Sequence, residues 1–158
     1  MFRPMRRIKQ QLPDADALEI LAKAKRGVLS VVGDDGWPYG IWLNPHYRRE
    51  DGRIYFHGAK EGHKIDAIRR CGKACLTVMN QGYQIPGEWP WYITSVIVFG
   101  RIREVTDPAI LKEKLTALGE KYYPSREEVE GEVARAMGRV AVLEMTIEHM
   151  TGKAVKES

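Results

Sequence analysis

The sequence predicts a mainly β protein with helices, an α+β chain closing into a small barrel of about six strands with helices at its gaps and ends. Three observations carry this. Short runs of alternating apolar and polar residues recur along the chain and are separated by the turn signals Asp34-Asp35-Gly36 and Asp51-Gly52. One run, Tyr92 to Val105, is long enough to bend around a barrel. Helical periodicity is confined to the start of the chain, one gap between strands, and the stretch before the last strand.

Taken in order, Asp14 to Lys25 is a predicted helix with Leu18, Leu21 and Ala22 on one face, a Pro13-Asp14 start, and Gly27 as its stop. Val28 to Val32 is an apolar strand. Trp37 to Tyr47 is a second, interrupted by Pro38 and Pro45, which places part of it at an edge or a bulge. Arg53 to His57 and Ala74 to Met79 are further strands, with a helix from about Gly62 to Cys71 between them. Asn80 to Trp91 is rich in Gly, Pro and aromatics and is predicted as a loop. After the long strand come helices at Pro108 to Tyr122 and Arg126 to Met137, then a closing strand at Val140 to Ile147. No internal repeat or linker divides the chain. It is expected to be one domain spanning 1–158, with an N-terminal arm at 1–12 and a polar tail at 151–158.

The segment from Ile54 to Arg70 is the most informative. Ile54 and Phe56 alternate with Tyr55 and His57, Gly58 and Gly62 permit geometries a side chain would obstruct, and Ile65, Ile68 and Cys71 mark an amphipathic helix. His63 and Lys64 fall in its first turn, where free backbone N–H groups and the helix dipole favour an anion. A lysine and a histidine beside those donors form a candidate phosphate seat.

Composition narrows the function. The formal charge is +4, from 25 basic and 21 acidic residues. That mild excess, partly in Arg3, Arg6, Arg7 and Lys9, suits an anionic small ligand, and no nucleic-acid module signature accompanies it. Cys71 and Cys75, the chain's 2 cysteines, have neither metal-knuckle nor Cys-x-x-Cys spacing, so no metal site is expected. Neither a signal peptide nor a membrane-length apolar run is evident, which predicts a cytoplasmic protein without membrane partners.

The runs Gly27-Val-Leu-Ser-Val-Val, Asp35-Gly-Trp-Pro-Tyr-Gly-Ile-Trp-Leu-Asn44, Ile54-Tyr-Phe-His-Gly-Ala and Glu61-Gly-His-Lys-Ile-Asp66, with Ser95-Val-Ile-Val-Phe-Gly100 and Thr151-Gly-Lys153, resemble the pyridoxamine 5′-phosphate oxidase-like FMN-binding split barrels. They are most similar to the Nim-type, 5-nitroimidazole resistance branch. The resemblance implies a homodimer of six-stranded split barrels with FMN at the subunit interface. It also implies oxidoreductase chemistry, possible on small planar substrates such as nitroaromatics. It assigns the flavin phosphate to Lys64, the ring to the backbone of Gly40, Ile41 and Trp42, and the ribityl chain and phosphate to the region Phe56, His57, Gly58 and Ala59. His63 matches a histidine of the branch that lies at the site, and is the one candidate catalytic residue.

Each assignment has a bland counterpart. Lys64 can be a surface lysine, His63 a solvent-facing residue of a first turn, His57 a structural hydrogen-bonder. Trp91, with Trp89, either walls the partner subunit's flavin pocket or anchors its own loop. The bulk of Trp42 leaves the substrate class open. The alternative function is a non-catalytic flavin or haem binding or sensing protein. A true pyridoxamine phosphate oxidase is disfavoured, because no basic substrate-phosphate motif stands near the C-terminus.

Overall fold

In the computed structural model, which describes residues 1–123 and 125–157, the chain runs β1 (Gln11–Leu12), α1 (Asp14–Lys23), β2 (Gly27–Val32), β3 (Pro38–Leu43), β4 (His46–Arg48), β5 (Arg53–Ala59), α2 (His63–Arg70), β6 (Lys73–Met79), β7 (Tyr83–Gln84), β8 (Trp91–Glu104), α3 (Pro108–Tyr122), α4 (Arg126–Ala136) and β9 (Val140–Glu157). The strands pair antiparallel in the order β3-β2-β6-β8-β9-β5-β4, with β1 added to β9 and β7 to β8. Taking β3 and β4 as halves of one interrupted strand, the path is the expected six-stranded split barrel.

Local chemistry sets the helix ends. Asp107 caps α3, its Oδ1 accepting from the N–H groups of Ala109 and Ile110 at 2.8 and 3.2 Å, with Pro108 in the first turn. Ser125 caps α4 by accepting from Glu128 N at 3.1 Å, so Ser125-Arg-Glu-Glu128 has the spacing of a capping box. α1 carries Asp14 and Asp16 in its first turn and Lys23 in its last, as the helix dipole favours.

Two apolar layers follow. Inside the barrel, Leu29, Val31, Phe56, Leu76, Val96, Val98 and Leu143 pack with Ala17 and Leu21 of α1 and Ile65 and Ile68 of α2. Outside β5 and β9, Tyr55 and Val142 pack under Leu115 and Leu118 of α3 and Val129 and Val133 of α4. β5 is therefore covered on both faces: Ile54 and Phe56 point inward while Tyr55 points to the helices. At the edge of this second layer Glu144, only 5% exposed, accepts from Tyr55 Oη and pairs with Arg53 and Arg103 at 2.8 and 2.9 Å. The two guanidinium groups hold its carboxyl below the usual carboxylate range against the cost of burial.

Several boundaries differ from the sequence reading. The predicted strand Trp37 to Tyr47 is divided at Asn44-Pro45, because a proline can neither donate to the ladder nor let the strand run on flat. Gly27 opens β2 rather than stopping α1, which ends at an extended Ala24. The predicted loop 80–91 contains β7, folded onto β8 as a hairpin arm. The largest correction is at the C-terminus. β9 does not stop at Ile147, and 151–157 is not a tail: Thr151, Lys153 and Val155 pair with Ile97, Ser95 and Ile93 of β8. Polar composition hid a strand whose outer face is meant to be polar. The N-terminal arm is likewise tied down, Gln11 and Leu12 pairing with Lys153 and Gly152.

The joint between β3 and β4 carries a titration. Lys121 of α3 donates to the carbonyls of Ala24 and Pro45 at 2.8 and 2.7 Å. Burial brings its pKa down to about 8. Next to it, His46 is held down to about 4, first by burial and then by the charges of Lys121 and Arg48, and its buried Nδ1 has no hydrogen-bond partner. A histidine whose pKa is depressed from 6.5 to about 4 on folding lets the unfolded chain bind more protons in that window. Stability should therefore fall as pH drops from 6.5 towards 4. Urea midpoints at pH 7, 5.5 and 4.5 check this, and His46→Gln, which cannot titrate, should show a shallower fall. Equal slopes in the two proteins would remove His46 from the account.

Candidate functional site

α2 begins where β5 ends, and the turn between them sets the site. Gly62, the N-cap, has φ 111°, a left-handed geometry that glycine tolerates. The cap has no side-chain hydrogen bond, and the Gly62 carbonyl takes the N–H groups of Ile65 and Asp66 at 2.9 and 3.2 Å. The backbone N–H groups of His63 and Lys64 are left without a backbone partner among the described residues. They open the positive end of an eight-residue helix.

Lys64 folds back over the end of β5. A Cβ at Gly58 would lie 2.8 Å from Lys64 Cε and 3.1 Å from Nζ, so the missing side chain is what gives the ammonium its seat. No acidic group lies within ion-pair distance of Lys64 among the described residues. A free cation, two free N–H donors and an open strand end fit a phosphate monoester. The fold thus brings Gly58, Ala59, Lys64 and His57 together. The His57 pKa is held below the ordinary histidine range by desolvation and then by the Lys64 charge.

His63 is turned the other way. Its ring stacks on Tyr39 with centroids 4.0 Å apart, and Nε2 lies 3.5 Å from Asp34 Oδ2, a contact that becomes an ion pair when the imidazole is protonated. Arg70 holds the other oxygen of Asp34 at 2.9 Å. His63 and Arg70 thereby tie both ends of α2 to the β2–β3 turn. Tyr39 and Asp34 are site neighbours that sequence reasoning missed. Tyr39 could have been found from the alternation Pro38, Gly40, Trp42 against Tyr39, Ile41, Leu43, whereas Asp34 could be read locally only as part of a turn.

On β3, Gly40 and Trp42 lie on the outer face while Ile41 points into the core. Phe56 is fully buried, so only its backbone can face a ligand. Trp91 is not brought to this group: it starts β8, separated from β3 by the two strands β2 and β6, and packs on Gly82 of the hairpin arm. On the outer face of the sheet the cross-strand row Trp42, Val28, Thr77, Ile97 and Thr151 lies beside the row Gly40, Ser30, Cys75, Phe99 and His149, with Trp42, Ile97 and Phe99 as its exposed large apolar residues. Trp42 is 73% exposed there and Phe2 of the arm lies on His149 at 4.9 Å.

A cleft of about 350 Å³ opens between the end of β5 and the α3–α4 hairpin, lined by Asn44, His57, Leu118, Tyr122, Val133 and Val140 among others. Its lining contains Glu132 and no lysine or arginine. The described residues contain no cluster of three or more His, Cys, Asp or Glu side chains able to hold a metal ion. No helix among them is long and apolar enough to cross a membrane.

Residues 13–154 match the family model described as pyridoxamine 5′-phosphate oxidase. The chain belongs to this family. Solved structures with the same fold include a candidate 5-nitroimidazole antibiotic resistance protein from Bacteroides thetaiotaomicron, 19% identical, covering 93% of this chain and 87% of the other with a TM-score of 0.78. A FAD-binding protein from Mesorhizobium loti is 20% identical over 92% and 97% of the two chains, with a TM-score of 0.67. The flavocytochrome Anf3 from Azotobacter vinelandii is 21% identical over 97% and 72%, with a TM-score of 0.78. No curated protein matches the sequence. At these identities the family's split barrel is what the likeness establishes.

Proposed function

We propose that this member of the family is an FMN-binding oxidoreductase of the Nim-type branch, acting as a homodimer with the flavin at the subunit interface. The observation that carries the reading is Lys64 seated over Gly58 at the free N-terminus of α2, a compact seat for one phosphate. The glycine-rich fingerprint of dinucleotide folds is missing from this turn, which favours FMN over FAD. When bound, FMN supplies the two-electron chemistry. The chain holds the phosphate with Lys64 and the first-turn N–H groups, and offers the backbone of Gly40, Ile41 and Trp42 to the ring. His63 keeps α2 against the β2–β3 turn.

The cleft beside His57 suits a small planar acceptor such as a nitroaromatic. Its volume is at the lower end for ligand pockets, and its lining lacks the cations that a phosphate ester substrate needs. The exposed apolar side chains of Trp42, Ile97 and Phe99 supply surface a second copy would cover, and the hairpin arm bearing Trp89 and Trp91 extends it. The test is the absorbance spectrum of the purified protein followed by titration with both flavins and light scattering at micromolar concentration. A flavin spectrum, tighter binding of FMN than FAD, and a dimer are expected. Equal or tighter FAD affinity overturns the cofactor assignment, a Soret band in place of the flavin bands favours haem, and a stable FMN-loaded monomer overturns the dimer.

A further inference from the structure

The opposite end of β2 carries a second basic concavity that the flavin reading does not use. A cavity of about 450 Å³ lies where α1 hands over to β2 and β6 hands over to the hairpin arm, lined by Lys23, Lys25, Arg26, Met79, Asn80 and Thr94 among others. None of its lining residues is acidic, and none of its three cations is ion-paired among the described residues. Lys23 sits in the last turn of α1, where the helix dipole accounts for one positive charge. Lys25 and Arg26 lie past that helix end in the link to β2, and the dipole, which fades within a turn, does not account for them.

Asn80 provides an independent sign. Its Oδ1 accepts from the backbone N–H groups of both Gly82 and Thr94, at 3.2 and 2.9 Å, and its own N–H donates to the Thr94 carbonyl at 3.0 Å. Both partners of Oδ1 are donors, which fixes which amide atom is oxygen. The amide nitrogen, with two hydrogens, has no partner among the described residues and belongs to a side chain that lines the cavity. Beside it Met79 is 65% exposed and gives the cavity an apolar wall. We propose that this cavity is an anion-binding site, taking a phosphate or carboxylate group carried on a small apolar body, with Lys25, Arg26 and the Asn80 amide as its donors. It is separate from the Lys64 seat. Arg26 precedes the first residue of β2 and Gly33, beside His63, follows its last. At about 3.3 Å per residue the two lie roughly 20 Å apart.

The test is an NMR titration of the ¹⁵N-labelled full chain, without added flavin, with inorganic pyrophosphate in one arm and citrate in the other. Saturable shifts of the Asn80 side-chain amide and of the Lys25 and Arg26 backbone amides are expected, and the tighter of the two anions identifies the group as phosphate or carboxylate. The variant Lys25→Gln/Arg26→Gln, changed only at exposed side chains, should bind at least about tenfold more weakly, the effect of losing a charge-assisted hydrogen bond. Lys64→Ala should leave these shifts unchanged, which separates this site from the flavin phosphate seat. Shifts that never saturate, or equal affinity in the double variant, overturn the proposal.

Discussion

Lys64→Ala is expected to weaken FMN binding by about 1.5–3 kcal/mol, roughly 10- to 150-fold in dissociation constant, the range for losing a hydrogen bond to a charged group. The physical reason is local. Lys64 places its ammonium over Gly58 at the end of β5, and the two first-turn N–H groups that remain are neutral donors. Gly58→Ala approaches the same seat from the other side. Its methyl group meets Lys64 Cε at 2.8 Å and must push the ammonium out of place without removing its charge. Both variants should keep their fold, because Lys64 is only half-buried and its side chain makes no ion pair among the described residues. Fluorescence titration with FMN reads both. An unchanged dissociation constant for Lys64→Ala would return this lysine to an ordinary surface role and remove the principal support for a flavin phosphate at α2.

The second large effect is on stability. At the bulge where the β8–β9 register shifts between Phe99 and Gly100, a Cβ on Gly100 would overlap the carbonyl oxygen of Thr146. This neighbour is backbone in the middle of the longest strand pair, so it cannot swing aside as a side chain would. Gly100→Ala should cost at least about 3 kcal/mol, lowering the melting temperature by roughly 6–12 °C for a chain of this size. Gly131→Ala is the matched control. It lies inside α4 with nothing within 4 Å of its would-be Cβ, and should gain roughly 0.5–1 kcal/mol from helix propensity alone. Thermal melts of the two variants should move in opposite directions. A Gly100→Ala protein that melts with the wild type would show that the bulge relaxes freely.

The sequence made the barrel legible where local chemistry and tertiary demand agree. Pro108 to Tyr122 was readable to the residue because Asp107, Pro108 and the periodic leucines all specify the same helix. The strands of the core were readable from period-2 alternation. What escaped the reading depends on partners distant in the chain. The strand at 151–157 has an unremarkable polar sequence and exists because β8 and β1 present edges to it. Of the site, Gly58, His57 and Lys64 could be grouped in advance because they fall within eight consecutive residues, on either side of the short turn between β5 and α2. Whether His63 faced Lys64 or faced away could not be read locally. That choice is made by Tyr39 and Asp34, which lie on the far side of a hairpin more than twenty residues earlier.

The length of β9 also has a consequence for how the chain is made. Its eighteen residues pair with β5, β8 and β1, joining the halves of the sheet that hold β2 and β4. Every one of those partners leaves the ribosome before it does. Until β9 emerges, β5 and β8 present unpaired edges, and Phe56 and Val98 lack the Leu143 and Met145 that help to cover them in the finished core. The nascent protein must therefore wait, with hydrophobic strands exposed, for its final segment. Chaperone demand should concentrate in that interval, and a ribosome that stalls before residue 140 leaves an aggregation-prone fragment instead of a smaller working barrel.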